Sequence, residues 1–128
     1  MNKEVIKTDK AASGKVPLSQ AIRAGGWLFC SGQLPIDPRT GEIVPGGIAA
    51  QTRRVLENLE AVCEAGGTSL ANAVKVTIFM EDLAELREMN QVFEEFFGVV
   101  SPPARTTFQA AKLIAGAKLE IELQAYIP

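Results

Sequence analysis

Several short segments of this chain alternate between apolar and polar residues, the pattern of strands that bury one face. Residues 119–127 show the cleanest alternation, with apolar residues at the odd positions and mostly polar residues between them. Residues 73–80 alternate in the same way, and a further strand is predicted at residues 104–110, after two prolines. Because successive side chains of a strand point to opposite faces, each of these segments predicts a half-buried strand.

The first third of the chain predicts a hairpin followed by an irregular loop. Two glycines separate residues 18–24 from residues 27–31, which is typical of a tight turn between antiparallel strands. A short strand is also predicted at Val5-Ile6. Residues 32–41 contain two prolines and two glycines, and we therefore expect no regular element there.

Two segments carry apolar residues at the three- and four-residue spacing of helices. The first covers residues 48–65 and is followed by Gly66-Gly67, a helix-stop signal. The second follows Asp82, which is predicted to cap the helix in a capping box with Glu85, and ends at Gly98. Both helices therefore present one apolar stripe to a core.

The resulting order, β-β-α-β-α-β-β, predicts one α+β domain over residues 1–128, with two helices on one face of a mixed sheet. The opposite face then carries Lys75, Thr77, Phe79, Glu120, Glu122 and either Arg105 or Thr106. Such a half-polar face is either solvated or closed by another subunit. In a symmetric oligomer, ligand clefts are expected between the subunits.

Composition narrows the classes of partner. The net charge is −2 and the pI is about 5.2, so the sequence has no basic footprint for nucleic acid or for an anionic membrane. No segment has the length and apolarity of a signal peptide or a membrane span, and we expect a cytoplasmic protein. Two separated cysteines, Cys30 and Cys63, are predicted to be buried reduced thiols.

Histidine is absent from the chain. Serine and cysteine nucleophiles that depend on a histidine base are therefore excluded, as are the usual zinc sites. Any catalysis must use Arg, Lys, Glu, Asp, Ser or Thr side chains, backbone groups and water.

Arg105 and Glu120 are the candidates for chemistry. Arg105 follows a prolyl segment at a strand start, and its planar fork matches a carboxylate through two parallel hydrogen bonds. Glu120 is a possible base for an attacking water, and a neighbouring Glu122 would raise its pKa. The plain alternatives are a solvated surface arginine and an ordinary strand that exposes two glutamates.

Weaker candidates come from strand ends and from the second helix. Ser31-Gly32 ends a predicted strand, and the glycine would let a ligand approach the backbone, although a simple turn explains it equally. Asn90 lies on an apolar helix stripe and needs a partner, which a nearby backbone group could supply. Thr107 and Leu18 carry no chemistry by themselves.

Taken together, the motifs resemble the RidA/YjgF family of enamine/imine deaminases. The segments that carry the resemblance are S-G-Q-L-P at 31–35, P-A-R at 103–105 and L-E-I-E at 119–122, with helical segments around residues 50–59 and 89–97. The resemblance covers about residues 19–125. It implies a chorismate-mutase-like fold and a homotrimer with a central β-barrel and three clefts between subunits.

The resemblance also implies an activity without metal or organic cofactor. This activity is hydrolysis of reactive 2-enamine or 2-imine acids, of the 2-aminoacrylate or 2-aminocrotonate type, to 2-keto acids and ammonia. It assigns substrate carboxylate binding to Arg105 and orientation or activation of water to Glu120. Ser31, Gly32 and Asn90 match residues that line the cleft.

Two positions depart from the family pattern. Leu18 stands where many members have a tyrosine over the cleft, and Thr107 stands where a cysteine is frequent. The leucine removes a hydroxyl donor and makes the cleft more apolar. Substrate choice is therefore open at both positions.

Three other functions compete with this interpretation. A non-catalytic regulatory module could bind a small acid in the same cleft. A related deaminase could act on a larger substrate such as 2-aminomuconate. An RNA-acting or translation-inhibiting role is disfavoured by the acidic pI and the lack of a basic stripe.

Overall fold

The computed structural model describes residues 2–128, which form two helices and two sheets. The strands are β1 (Glu4–Ile6), β2 (Ala21–Ala24), β3 (Trp27–Gln33), β4 (Ile36–Asp37), β5 (Glu42–Ile43), β6 (Ala73–Met80), β7 (Ala104–Gln109) and β8 (Leu119–Tyr126). The helices are α1 (Ile48–Ala65) and α2 (Leu86–Phe97). Single turns of 3₁₀ helix lie before β6, α2 and β8.

The larger sheet is mixed, as predicted. Its six strands have the order β1-β2-β3-β8-β6-β7. β6 and β7 are parallel and are connected through α2, whereas the other neighbouring pairs are antiparallel. β7 is therefore an edge strand, paired on one side only. The predicted α+β class, with two helices on one face of a mixed sheet, is confirmed.

The core lies between the sheet and the two helices. α1 spans the residues predicted for it, and its apolar stripe is fully buried against β3 and β8. The largest buried side chains from the two layers are Leu28, Ile48, Leu56, Leu59, Ile78, Met80, Met89, Leu119 and Ile121. Burial of this apolar surface is the main stabilising contribution to the fold.

The region of residues 32–41 is more regular than predicted. β3 continues through Gln33, and β4 and β5 form a small hairpin in which Ile36 lies opposite Ile43. The prediction that no regular element forms here was wrong, because a two-residue ladder is too short to produce a sequence period. Gly41, at φ +77°, completes the turn between the two strands.

The start of α2 is also more complex than a single capping box. Asp82 accepts a hydrogen bond from the Ala84 amide at 2.9 Å, which confirms its capping role. A 3₁₀ turn follows, and α2 begins at Leu86. The side chain of Glu85 does not complete a capping box, since its carboxylate lies 3.5 Å from the Lys118 ammonium.

The face of the sheet opposite the helices, here called the open face, is rich in aromatic side chains. It carries five of the eight aromatic residues of the chain: Trp27, Phe29, Phe79, Phe108 and Tyr126. The rings of Phe79 and Phe108 meet edge to face, with centroids 5.0 Å apart. Exposed aromatic side chains grouped on one face of a sheet are typical of an interface.

The register of β7 decides which side chains share that face. Thr106 accepts a hydrogen bond from the Lys75 ammonium at 2.7 Å, so Thr106 lies on the open face. Arg105 lies opposite the fully buried Val76, and it therefore points to the helix side. Of the two alternatives left open by the sequence, the open face contains Thr106.

The junction between α1 and β3 requires a residue without a side chain. A Cβ atom at Gly66 would lie 2.6 Å from a methyl carbon of Leu28, which is completely buried. Neither atom can move without disturbing the core, because interiors are close-packed. The last turn of α1 therefore approaches the sheet as closely as a backbone allows.

We expect Gly66→Ala to lower the free energy of unfolding by about 1–3 kcal/mol, because it overpacks the Leu28 site. Urea denaturation monitored by circular dichroism measures the change. Gly14→Ala is the matched control, since a Cβ atom there meets nothing within 4 Å, and its effect should stay within about 0.5 kcal/mol. Equal stability of the two variants would contradict the close approach.

Candidate functional site

Arg105 is positioned by the first residues of β7. Pro102 and Pro103 lead into the strand, and β7 then pairs in parallel with β6. The pairing directs the Arg105 side chain under the carboxyl half of α2, where its guanidinium carbon lies 4.9 Å from the ring centroid of Phe93. A guanidinium stacked on an aromatic face is held in one plane and is attracted by the ring.

The Arg105 side chain is exposed in the single chain, and its guanidinium lacks a counter-ion among residues 2–128. Within residues 2–128 it forms no ion pair shorter than 4.0 Å. Desolvation lowers the pKa of Arg105, yet an arginine remains protonated at neutral pH. The site therefore offers a fixed cation with free donors, which suits an organic carboxylate.

A cavity of about 340 Å³ opens beside Arg105. Its lining comes from α2, from β7 and from the segment that connects them: Asn90, Phe93, Glu94, Gly98, Val99, Pro102, Pro103 and Arg105. The volume matches a small organic molecule, and the walls combine apolar surface with a few polar groups. These are the usual properties of a ligand site.

Two buried polar atoms near Arg105 have no hydrogen-bond partner among residues 2–128. They are the Asn90 side-chain oxygen and the Thr107 hydroxyl oxygen. Thr107 lies opposite the buried Ile78 and so shares the helix side of β7 with Arg105. Buried polar atoms are nearly always paired in native proteins, so both are available to a ligand or a neighbouring chain. The backbone partner considered for Asn90 does not reach its oxygen.

The side chain of Glu120 points to the open face of the sheet. It lies in β8 opposite Phe79, while its neighbours Leu119 and Ile121 are buried on the helix side. Burial raises the pKa of Glu120, and the like charge of Glu122 raises it further. A carboxyl group with a raised pKa is better suited to exchange protons near neutral pH.

Gly32 lies directly against the Glu120 carboxyl group. A Cβ atom at position 32 would come within 2.9 Å of the Glu120 Cδ atom. The pairing of β3 with β8 shifts register between Cys30 and Gln33, which forms an irregularity at this point. Because Gly32 has no side chain, the Glu120 carboxyl group can lie directly against the backbone of β3.

Ser31 links this region to the segment that carries Leu18. Its hydroxyl donates a hydrogen bond of 2.6 Å to the Ser19 carbonyl oxygen, and its amide donates one of 3.0 Å to the Gln20 carbonyl oxygen. Leu18 directly precedes Ser19 in the chain. It is 62% exposed and lines a second cavity of about 210 Å³. Ser31 therefore contacts the backbone of Ser19 and Gln20, and these contacts hold the segment that leads into β2.

The candidate residues thus form two groups on opposite faces of one sheet. Arg105, Asn90 and Thr107 lie on the helix side, whereas Glu120 and Gly32 lie on the open face. One chain does not bring Arg105 and Glu120 together, because their side chains leave the sheet in opposite directions.

Two functional neighbours of Arg105 were not predicted as site residues. Phe93 supplies the ring beneath the guanidinium, and Glu94 adds a carboxylate to the cavity lining. Both follow Asn90 at helical spacings of three and four residues, so the same face of α2 presents all three. That spacing was visible in the sequence, but Phe93 was assigned only to the apolar stripe.

Three further observations concern metal-binding clusters, membrane spans and cysteines in residues 2–128. Among residues 2–128, no group of three or more Asp, Glu, Cys or His side chains could hold a metal ion. In the same part of the chain, neither helix combines the length and apolarity needed to cross a membrane. Cys30 and Cys63 are both buried and free. A hydrogen bond with the Cys63 thiol, together with burial, raises the pKa of the Cys30 thiol.

Comparison with known proteins identifies the family. The family model described as endoribonuclease L-PSP matches residues 8–127. The chain belongs to this family. A RutC family protein of Pyrococcus horikoshii is 49% identical over 124 residues, which cover 97% of this chain and 98% of that protein.

Two other members of the family carry more informative names. The chloroplastic Reactive Intermediate Deaminase A of Arabidopsis thaliana is 40% identical over 95% of this chain and 65% of its own length. The crystal structure of RidA from an Antarctic Psychrobacter has a TM-score of 0.92 and 40% identity, and the match covers 97% of this chain and 99% of that one. The predicted membership of the RidA/YjgF family is confirmed.

We expect the carboxyl group of Glu120 to titrate above the ordinary glutamate pKa in a carbon-13 NMR titration. Glu122→Gln removes the nearby like charge and should lower the Glu120 pKa part of the way, leaving the effect of burial. Glu88→Gln, an exposed change on α2, should leave it unaltered. An unshifted Glu120 in the native protein would contradict the arrangement described for the open face.

Proposed function

We propose that this protein hydrolyses small 2-imino and 2-enamino acids to 2-keto acids and ammonia. The observation that carries the proposal is the Arg105 guanidinium, which is stacked on Phe93, free of a counter-ion and exposed to a cavity of about 340 Å³. The name of the Arabidopsis relative, a reactive intermediate deaminase, supports the same reaction class.

Substrate binding would begin with the carboxylate. Two parallel hydrogen bonds to the Arg105 fork would fix both the position and the plane of the acid. The rest of a small substrate would then face the apolar walls formed by Phe93, Val99 and Pro103. Asn90 and Thr107 supply polar atoms that remain unpaired within residues 2–128 and are suited to the substrate's nitrogen or to a water.

The complete site is proposed to form between subunits of a homotrimer. Glu120 and Arg105 lie on opposite faces of one sheet, so a small substrate can reach both only if they come from different subunits. A trimer whose open faces close a central barrel would also cover the exposed aromatic side chains. Arg105 of one subunit would then meet the partner subunit's Glu120.

The proposed chemistry adds one water and releases one ammonia. Water attacks the carbon of the protonated imine while Glu120 accepts a proton from the water, which forms a tetrahedral carbon bearing a hydroxyl and an amino group. Glu120 returns the proton to the nitrogen, the carbon–nitrogen bond breaks to release ammonia, and the hydroxyl loses its own proton to Glu120 as it becomes the keto group. An enamine first takes a proton at its β-carbon to become the imine. Imines of this kind hydrolyse in water unaided, so positioning supplies much of the acceleration.

Ser31, Gly32 and Leu18 are proposed to shape the partner side of the cleft. Gly32 provides space for the Glu120 carboxyl group, and Ser31 holds the backbone that leads to Leu18. An exposed leucine presents no donor to the ligand, so this side of the cleft would favour substrates with apolar side chains.

The alternative functions differ in what they require of the same cavity. A regulatory module would bind keto acids without turnover, and a 2-aminomuconate deaminase would need space for a second carboxylate. The family description names an endoribonuclease, but a net charge of −2 gives the protein no overall attraction for a polyanion. We therefore place the activity on small acids, in a single domain over residues 1–128 and in the cytoplasm.

We expect the protein to accelerate 2-ketobutyrate release when it is coupled to a threonine dehydratase that generates 2-aminocrotonate. Arg105→Ala should lower kcat/KM about 10- to 100-fold, because it removes a charge-assisted bidentate contact. Arg53→Ala, which disrupts a surface ion pair with Glu95, is the matched control and should retain activity. No acceleration by the native protein, or full activity of Arg105→Ala, would contradict the proposal.

A site formed by residues of two subunits leads to a separate prediction. Arg105→Ala and Glu120→Gln should each have strongly reduced activity as pure proteins, yet regain activity when the two are unfolded together and reassembled. Random trimers would contain about a quarter of intact sites, each with Arg105 from one chain and Glu120 from its neighbour. The double variant mixed with Arg105→Ala should regain nothing. Failure of the first mixture, with trimers formed, would show that both residues act within one chain.

A further inference from the structure

We propose that Glu94 restricts the Arg105 cavity to 2-imino acids that have a single carboxylate, with a neutral or cationic side chain. This inference rests on the function proposed above, and it names the substrate class of that same site. It concerns a residue to which neither the sequence motifs nor the family resemblance assigned a role.

Glu94 reaches the cavity because of its place on α2. Asn90 and Glu94 are four residues apart, one helical turn, so α2 presents both to the cavity on the same face. The helix ends directly afterwards at Gly98, whose φ of +71° turns the chain back towards Pro102 and Arg105. The cavity is therefore bounded by an acceptor-bearing helix face on one side and by the arginine on the other.

The charges that line the cavity are one cation and one anion. Arg105 and Glu94 are its ionised lining groups, and neither forms an ion pair shorter than 4.0 Å among residues 2–128. The next residue, Glu95, differs, because its carboxylate contacts the Arg53 guanidinium at 2.7 Å. The Glu94 carboxylate thus has no cationic partner among residues 2–128 and lies beside the ligand space.

A second carboxylate on the substrate would lie close to a carboxylate of the protein. Arg105 can pair with one carboxylate, and Glu94, the other charged residue of the lining, is of the same sign as the second. Like charges in a partly desolvated cavity repel each other more strongly than in water. The other walls are apolar, from Phe93, Val99 and two prolines, and they suit a short hydrocarbon side chain.

The experiment compares two imines of matched length produced by an L-amino-acid oxidase, with catalase present to remove peroxide. 2-Aminopentanoate yields the monocarboxylate imine and glutamate yields the dicarboxylate imine, and trapping with semicarbazide reports the imine that remains. We expect the native protein to accelerate hydrolysis of the monocarboxylate preferentially. Glu94→Gln should raise the ratio of kcat/KM for the dicarboxylate to kcat/KM for the monocarboxylate about five-fold at low salt.

Glu88→Gln is the matched control, since it removes an exposed carboxylate from the same helix without touching the cavity lining. An unchanged selectivity ratio in Glu94→Gln, or the same change in both variants, would overturn the inference. If the native protein accelerates neither imine, the proposed function fails. Calorimetric binding of 2-oxopentanoate and 2-oxoglutarate then decides the role of Glu94, because Glu94→Gln must tighten binding of the dicarboxylate relative to that of the monocarboxylate.

Discussion

The organisation of this protein depends on a sheet that is covered by helices on one face only. The apolar stripes of α1 and α2 bury one side of β3, β6 and β8, and this contact forms the core. Every residue of those strands is thereby assigned to a buried side or to the open face. The side of Arg105 and the side of Glu120 both follow from this assignment, and with them the need for more than one chain to complete the site we propose.

Much of the fold could be predicted because its elements have strong periods. The eighteen residues of α1 and the alternation in β8 are long enough for burial to select one structure. The β4–β5 hairpin could not be predicted, because its two-residue ladders leave no period and are stabilised by the turn at Gly41. The predicted role of Glu85 in a capping box was wrong for another reason. Its carboxylate lies next to the ammonium group of Lys118, which is distant in the chain.

The candidate site was predicted less completely than the fold. The residue type and prolyl lead-in of Arg105 indicated a carboxylate clamp, but its direction depended on the register of β7 against β6. Register between strands that are joined through a helix is a tertiary property, which alternation within one strand does not reveal. For the same reason, the stacking of Arg105 on Phe93 became visible only when α2 was placed over β7.

The contact between Gly32 and Glu120 has a consequence for how this family can diverge. While the carboxyl group occupies the space above position 32, a side chain introduced there would push the flexible end of Glu120 aside. A shorter residue at position 120 would leave that volume empty and remove the conflict. The residue types compatible with this backbone at the two positions are therefore coupled, although the positions lie on different strands.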